Sequence, residues 1–340
     1  MKLIVQIPCF NEEENLIDTI GDIPREIPGI DVVEIMVIDD GSSDRTIEVA
    51  REIGVEHIVE HTGNKGLART FRSGIDSALK LGADIIVNTD GDNQYAGADI
   101  AKLIEPIVQG DAEIVVGDRG GLKNPHFPYY KRQLQVFGSY VIRKITGLDI
   151  ADAVSGFRAI SKNAAKQINI VTDFSYTIEM LVQASAKRLK VVSVPIGTNA
   201  KTRDSRLFKS IPQFLRMSGT TLIRAYAMYK PLRLFFAIGM VMLITGLLPI
   251  GRFLYFYMIG DGAGHIQSIV LGATLVIMGV GTMLIGMLAD LINFNRKLLE
   301  LALVKIANVE LQLEEQKNTP GKSHFKKIEQ ELSELKVMTK

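Results

Sequence analysis

From Ile266 to Ala289 the chain carries no charged residue. As a helix, a run of that length crosses a hydrocarbon core of roughly 30 Å. A helix in the core of a soluble domain seldom continues so far without a charge, so the pattern favours a transmembrane span. The run before it, from Leu234 to about Ile259, is also long enough but contains Pro249 and Arg252. It predicts a kinked or tilted second span with Arg252 near an interface. Arg224, Lys230 and Arg233 precede the pair and Arg296 and Lys297 follow it, whereas the connecting loop Gly260–His265 has no Lys or Arg. By the positive-inside rule both large ends face the cytoplasm, making this a multi-pass protein of the cell membrane. The start Met1-Lys2-Leu3-Ile4-Val5 turns polar too quickly for a signal peptide, so insertion is expected to rest on the later helices.

Outside the apolar region the chain reads as an ordinary folded protein. Its 340 residues, 47% apolar with a formal charge of +1, suit one large or two ordinary domains and give no nucleic-acid footprint. Cys9 is the only cysteine, which excludes an intrachain disulfide and fits the reducing cytosol. Leu3–Ile7, Glu34–Ile38, His57–Val59, Ile85–Asn88 and Ile114–Val116 read as strands, with helices around 12–20, 44–53, 66–81 and 98–109. That alternation predicts an α/β domain with a mostly parallel central sheet. No Gly-x-Gly-x-x-Gly follows the first strand and no Gly-Lys-Ser/Thr loop occurs, which weighs against a Rossmann dinucleotide site and a P-loop.

The segment 204–230 interleaves Leu207, Ile211, Phe214 and Leu215 with Lys209, Arg216 and Arg224. It suits helices lying on the membrane surface, or an amphipathic helix packed on the sheet. After the second span, Arg296–Gln316 is helical in pattern and Asn318-Thr319-Pro320-Gly321 breaks it. Ile328, Leu332 and Leu335 then repeat at helical spacing, as in an oligomerising or a solvated helix. The expected division is 1–203, a catalytic domain; 204–230, interface helices; 231–293, two transmembrane helices; and 294–340, a cytoplasmic helical tail.

The chemistry is concentrated in three polar loops, each placed after an apolar run. Asp90-Gly91-Asp92-Asn93-Gln94 follows Ile85-Ile86-Val87. If the run is a strand, the acids emerge at its C-terminal end, where open α/β sheets bind ligands, and alternation puts Asp90 and Asp92 on one side. Two hard carboxylates suit Mg²⁺ or Mn²⁺, with water and substrate phosphates filling the other positions. An Asp-Gly-Asp by itself is as readily a turn. Pro8-Cys9-Phe10-Asn11-Glu12-Glu13-Glu14-Asn15 follows the first strand and Ile38-Asp39-Asp40-Gly41-Ser42 closes the second, so three loops converge on one crevice.

Pro-x-x-Asn-Glu at 8–12, Val-Ile-Asp-Asp-Gly-Ser at 37–42, the Asp-x-Asp at 90–92 and Ser155-Gly156-Phe157-Arg158 together resemble the family 2 glycosyltransferases of GT-A fold. Within them the chain is most similar to the polyprenyl-phosphate sugar transferases, the group that includes the dolichyl-phosphate mannosyltransferases. The likeness covers roughly residues 1–230, and the two apolar runs are similar to the anchors of that group. It implies that Pro8, Phe10, Asn11 and Glu12 line a nucleoside pocket, that Asp39 or Asp40 holds the base or ribose, and that Asp90, Gly91 and Asp92 meet the donor diphosphate. Asp90, Asp92 and Gln94 would contact Mg²⁺ or Mn²⁺. Related enzymes often read Asp-Ala-Asp-Leu-Gln here, so Gly91 and Asn93 depart from the pattern while Gln94 keeps its offset.

The resemblance also implies cations for the diphosphate and the acceptor phosphate. Arg119, Arg132, Arg203 and Arg206 are the candidates, the last standing where a related loop has Lys. Asp152, Ser155, Arg158, Glu179 and Arg132 would shape the acceptor side. A lipid phosphate is already an anionic nucleophile at neutral pH, which removes the need for a strong general base. The implied reaction inverts the anomeric carbon and passes mannose from GDP-mannose, or glucose from UDP-glucose, to a dolichyl or undecaprenyl phosphate, with UDP-N-acetylglucosamine open as a third donor. Catalysis would rest on Asp92, Arg119, Arg203 and Arg206. A processive polysaccharide synthase shares such a domain but usually carries Gln-x-x-Arg-Trp, and this chain has no Trp. The remaining alternative is a non-catalytic membrane scaffold that binds nucleotide sugar or recruits partners through its C-terminal helices; separately, the tail is a candidate for assembling a homo-oligomer.

Overall fold

Strand β1 (Lys2–Cys9) is buried from Leu3 to its end, as a strand covered by helices on both faces must be. In this computed structural model the described residues are 1–121, 129–170, 176–199 and 230–318, with scattered positions between 216 and 227. The remaining strands are β2 (Val32–Asp39), β3 (His57–Glu60), β4 (Ile85–Asn88), β5 (Ile114–Asp118), β6 (Arg158–Ser161) and β7 (Val191–Pro195). They form one sheet in the order β3-β2-β1-β4-β6-β5-β7. Among the described strands, β6 alone runs against its neighbours; β1 pairs in parallel with both β2 and β4, and β5 with β7. The C-terminal ends of β1, β2 and β4 therefore lie side by side, which opens a crevice for the loops that follow them.

Among the described residues, seven helices surround the sheet: α1 (Leu16–Gly21), α2 (Thr46–Glu52), α3 (Leu67–Lys80), α4 (Ile100–Val108), α5 (Tyr129–Thr146), α6 (Lys162–Gln167) and α7 (Tyr176–Lys187). Strand alternation sends Leu3, Val5 and Ile7 into one apolar cluster with α1 and α4, and Ile4 into another with α3, α5 and α7. The five expected strands are all present, each within a few residues of its expected bounds. The first helix begins at Leu16 rather than near 12, because Asn11 takes a left-handed backbone (φ 57°) and residues 10–15 form a loop.

Two further helices are long and apolar enough to cross a membrane: α8 (Pro231–Met258), with Pro249 inside it, and α9 (Ile266–Asn318), whose apolar part ends at Arg296. They pack at glycines. A Cβ on Gly279 would stand 2.8 Å from the Gly239 carbonyl oxygen, and one on Gly272 would stand 2.7 Å from that of Gly246. The helical segment expected at 296–316 is the continuation of α9, so the expected boundary at 293 is not a helix end. Two compact units divide at Leu291 and Ile292. Most of the interface segment 204–230, and the tail beyond Asn318, lie outside the described residues.

Candidate active site

Asp39 and Asp40 end β2 and do different work. Asp39 Oδ2 accepts the backbone N–H groups of Gly41 and Ser42, each at 3.0 Å, which closes the turn. A Cβ at Gly41 (φ 75°) would fall 2.6 Å from the Gly63 Cα, so this turn requires glycine. Asp39 Oδ1 is buried and, among the described residues, has no hydrogen-bond partner. Both oxygens of Asp40 are used: Oδ1 meets His61 Nδ1 at 2.9 Å and accepts from Lys65 N at 2.8 Å, and Oδ2 accepts from Gly66 N at 2.8 Å. Asp40 thus ties the sheet to the start of α3.

The first loop is fastened to the second. Asn11 N donates to Ser42 Oγ (2.9 Å), Asn11 Oδ1 accepts from Ser43 N (2.8 Å), and Glu12 N donates to Thr46 Oγ1 (2.8 Å). Phe10 stands at the crest, 37% exposed, while Pro8 and Glu12 are buried beneath it. The third loop closes against the first at Gly91, where a Cβ would meet Cys9 Sγ and Glu12 Cγ at 3.2 Å each. Thr19 Oγ1 donates to Gly91 O at 3.1 Å and holds the contact. Burial and the surrounding acids, Glu12 first, push the Cys9 thiol well up, so it is a packing residue rather than a nucleophile.

Asp90 sits where the third loop meets the start of β6. A Cβ at Gly156 would fall 2.9 Å from the Tyr176 hydroxyl and 3.1 and 3.2 Å from the Asp90 carboxylate oxygens, so a side chain there would have to displace them. Tyr95 bonds to Asp90, and its hydroxyl accepts from Gly156 N at 2.9 Å. Burial, then the charge of Asp92, pushes Asp90 up to about 7, with Arg119 opposing and Glu12 adding to the rise. Gln94 N donates to Asp92 Oδ1 at 3.2 Å, which curls the loop back on itself through Asn93 (φ 52°).

Arg119, just past β5, is gripped in a fork by Asp152: Nε to Oδ2 at 2.6 Å and a terminal nitrogen to Oδ1 at 3.0 Å. Burial works against the guanidinium, but Tyr95, Asp152 and Asp90 outweigh it and hold its pKa above the ordinary value. A fixed cation therefore stands in the field of Asp90.

Several residues expected on the acceptor side are placed elsewhere. Asp152 is fully buried with both oxygens on Arg119, so it positions that cation rather than touching a substrate. Arg158 is also fully buried, and its guanidinium donates to the carbonyls of Ser155, Thr177 and Ala153, each at 2.8 Å. Burial lowers it to about 10. It is a structural clamp at the head of β6, without a face for an acceptor phosphate. Glu179 is buried in α7 and accepts from Gln183 at 3.2 Å; Ser155 is buried with no partner for its hydroxyl among the described residues. Arg132 lies half-buried near the start of α5. Arg203 and Arg206 lie outside the described residues.

The structure adds residues that motif reading missed. Asn88 Nδ2 donates to Gly156 O (2.9 Å) and bonds the Tyr176 hydroxyl (3.0 Å), while Asn88 Oδ1 accepts from Gln6 Nε2 (2.9 Å). An amide inside each of two apolar strands was the signal. Beyond β7, Thr198 bridges Tyr95, Asn199 N donates to Gln94 O (3.0 Å), and Asn199 Nδ2 donates to Asn93 O (3.0 Å). Asn199, the last described residue before the segment that carries Arg203 and Arg206 in the sequence, is therefore bonded to the acidic loop.

The residues fit a divalent ion. Burial first and the charge of Asp92 second raise Asp90, and a dication beside the two carboxylates would relieve the second of these. Among the described residues no group of three or more His, Cys, Asp or Glu could hold a metal. Two carboxylates and the Gln94 amide leave positions for water and phosphate, as Mg²⁺ and Mn²⁺ sites do.

Comparison with known proteins identifies the family of the chain. Residues 4–169 match the family described as Glycosyl transferase family 2. The chain is 31% identical over 215 residues to the UDP-N-acetylglucosamine–dolichyl-phosphate N-acetylglucosaminyltransferase of Methanococcus voltae, covering 56% of this chain and 83% of that one. It is 33% identical over 227 residues to the dolichol-phosphate mannosyltransferase of Pyrococcus furiosus, covering 64% and 62%. The fold is similar to that of glucosyl-3-phosphoglycerate synthase from Mycobacterium tuberculosis, solved with Mn²⁺, uridine diphosphate and glucosyl-3-phosphoglycerate. The TM-score is 0.52 at 20% identity, over 66% of this chain and 78% of that one.

Proposed function

Because the chain belongs to glycosyl transferase family 2, and so is a glycosyltransferase of GT-A-like fold, we propose that it moves a hexosyl group from a nucleotide sugar to a polyprenyl phosphate. The donors are GDP-mannose or UDP-glucose, with UDP-N-acetylglucosamine the third to test because one relative is named for it. The lipid half draws support from the names of both relatives and from α8 and α9. We place transfer at the cytoplasmic face, in keeping with the basic flanks of those helices.

The observation that carries the reading is the grouping of Asp90, Asp92 and the Asp152-locked Arg119 in one crevice. In this reading Asp39, through its Oδ1, which has no partner among the described residues, takes the base or ribose beside Phe10. Asp90, Asp92 and Gln94 would hold Mg²⁺ or Mn²⁺, which when bound supplies positive charge to the donor diphosphate. Arg119 stabilises charge on the departing nucleoside diphosphate, and its orientation is set in advance by Asp152, so no reorganisation is needed as the bond breaks. The lipid phosphate attacks in line and inverts the anomeric carbon, its own anionic oxygen serving as nucleophile. Arg203 and Arg206, which follow Asn199 in the chain, are the proposed cations for that phosphate.

The test supplies the purified full chain with each donor, Mg²⁺ or Mn²⁺ and a polyprenyl phosphate. Lipid-linked sugar should form with one donor and disappear on chelation. Donor hydrolysis without lipid product would overturn the acceptor assignment.

A further inference from the structure

Tyr95 directly follows Gln94 and is buried, 5% exposed. A buried phenol needs partners for its hydroxyl, and this one has two. Gly156 N donates to it at 2.9 Å, which leaves the hydroxyl its own proton to give, and Tyr95 bonds the Asp90 carboxylate. A chain of bonds therefore runs from the head of β6, through the phenol, to Asp90. Both Asp90 oxygens border the same glycine, in the space that a Gly156 side chain would take.

The ring is fixed as firmly as the hydroxyl. It stacks on Phe157 with the ring centres 5.1 Å apart and the planes 12° from parallel. Phe157 is fully buried and lies 3.2 Å from where a Gly117 Cβ would stand in β5, and the Tyr95 backbone bridges Thr198. The position of the phenol is thus set by the sheet rather than by the acidic loop. Asp92 is held differently, because its Oδ1 accepts from Gln94 N inside its own loop. For Asp90, Tyr95 supplies the one hydrogen bond to the side chain among the described residues. Partners of this kind orient the carboxylates that hold metal ions.

We propose that Tyr95 is the positioning residue for Asp90: its hydroxyl holds the carboxylate in the orientation that takes a divalent cation together with a nucleoside diphosphate. Tyr95 acts through Asp90. The inference rests on reading Asp90 and Asp92 as metal ligands.

Tyr95→Phe removes the hydroxyl and keeps the stacked ring, so the core beneath it stays filled. Calorimetry on the purified full chain measures binding of UDP and of GDP, each with Mn²⁺ and each with a chelator. The gain in nucleotide affinity on adding Mn²⁺ reports metal held by the protein, without any turnover. Asp92→Asn and Thr146→Val are measured alongside. Thr146 is buried at the end of α5, where its hydroxyl donates to Ile142 O at 2.7 Å and accepts from Leu148 N at 3.3 Å, so T146V reports the loss of a buried hydroxyl that has no part in the site.

Y95F should lower the Mn²⁺-dependent gain by about tenfold or more, the usual scale for removing a group that orients a metal ligand, and bind nucleotide in chelator as the parent does. D92N should lose the gain, and T146V should melt earlier with the gain of the parent. If Y95F keeps the full gain while D92N loses it, the proposal is overturned and the metal reading stands. An equal fall in Y95F and T146V would make the hydroxyl a general support of the fold and also overturn it. A parent without any gain, or a D92N variant that retains it, would remove the metal reading and this inference with it.

Discussion

Asp39 and Asp40 are neighbours in the chain, yet only Asp39 retains an oxygen with no partner among the described residues. Asp39→Asn should raise the donor KM while leaving the melting temperature of the purified protein close to that of the parent. Asp40→Ala strands the N–H groups of Lys65 and Gly66 together with His61, and should cost about 3 kcal/mol in a denaturation series. Asp92→Asn should lower metal-dependent transfer by about 100-fold or more, the scale of losing one electrostatic group at a reacting centre; intact activity would remove Asp92 from the site. Arg158→Lys should lower the melting temperature and leave both KM values in place, since its fork serves three carbonyls and no substrate. The motif drew attention to the right arginine and misread its use. An arginine in a polar motif reads as an anion ligand, and what redirects it here is complete burial at the head of β6, against the first turn of α7.

At the level of elements, the glycines of α8 and α9 act as a matched set in heptad repeat: Gly239 and Gly246 on one helix, Gly272, Gly279 and Gly286 on the other. Gly279→Val should weaken the helix pair by about 1–3 kcal/mol, read as earlier thermal unfolding in detergent. Gly281→Val, at a position with open space beside it, should change little beyond helix propensity. Strands β1 to β5 were legible because each is an apolar run closed by a polar turn. β6 and β7 were not: β6 is short and begins at Arg158, and β7 is only half-buried through most of its length. The antiparallel insertion of β6 between β4 and β5 is set by long-range pairing, such as Asn88 with Arg158, to which no local pattern points. Its consequence is chemical, for it brings Gly156 against Asp90.

At the scale of the whole molecule, the membrane topology can be checked with one engineered thiol. Cys9 is buried, so in intact cells a membrane-impermeant maleimide should label Gly264→Cys, in the loop between α8 and α9, and leave the parent protein unlabelled. Labelling only after permeabilisation would reverse the proposed orientation. The apolar runs and their flanks carried this expectation in the sequence. The bonds from Asn199 to Gln94 and Asn93 have a thermodynamic consequence. If, as proposed, the acidic loop grips the donor and the chain beyond Asn199 carries the cations for the lipid phosphate, these bonds couple the two sites, and equilibrium demands that the coupling be mutual. Bonds worth about 1 kcal/mol each limit that reciprocity to roughly one or two powers of ten in affinity. Donor and lipid should therefore each tighten or loosen the other by the same factor.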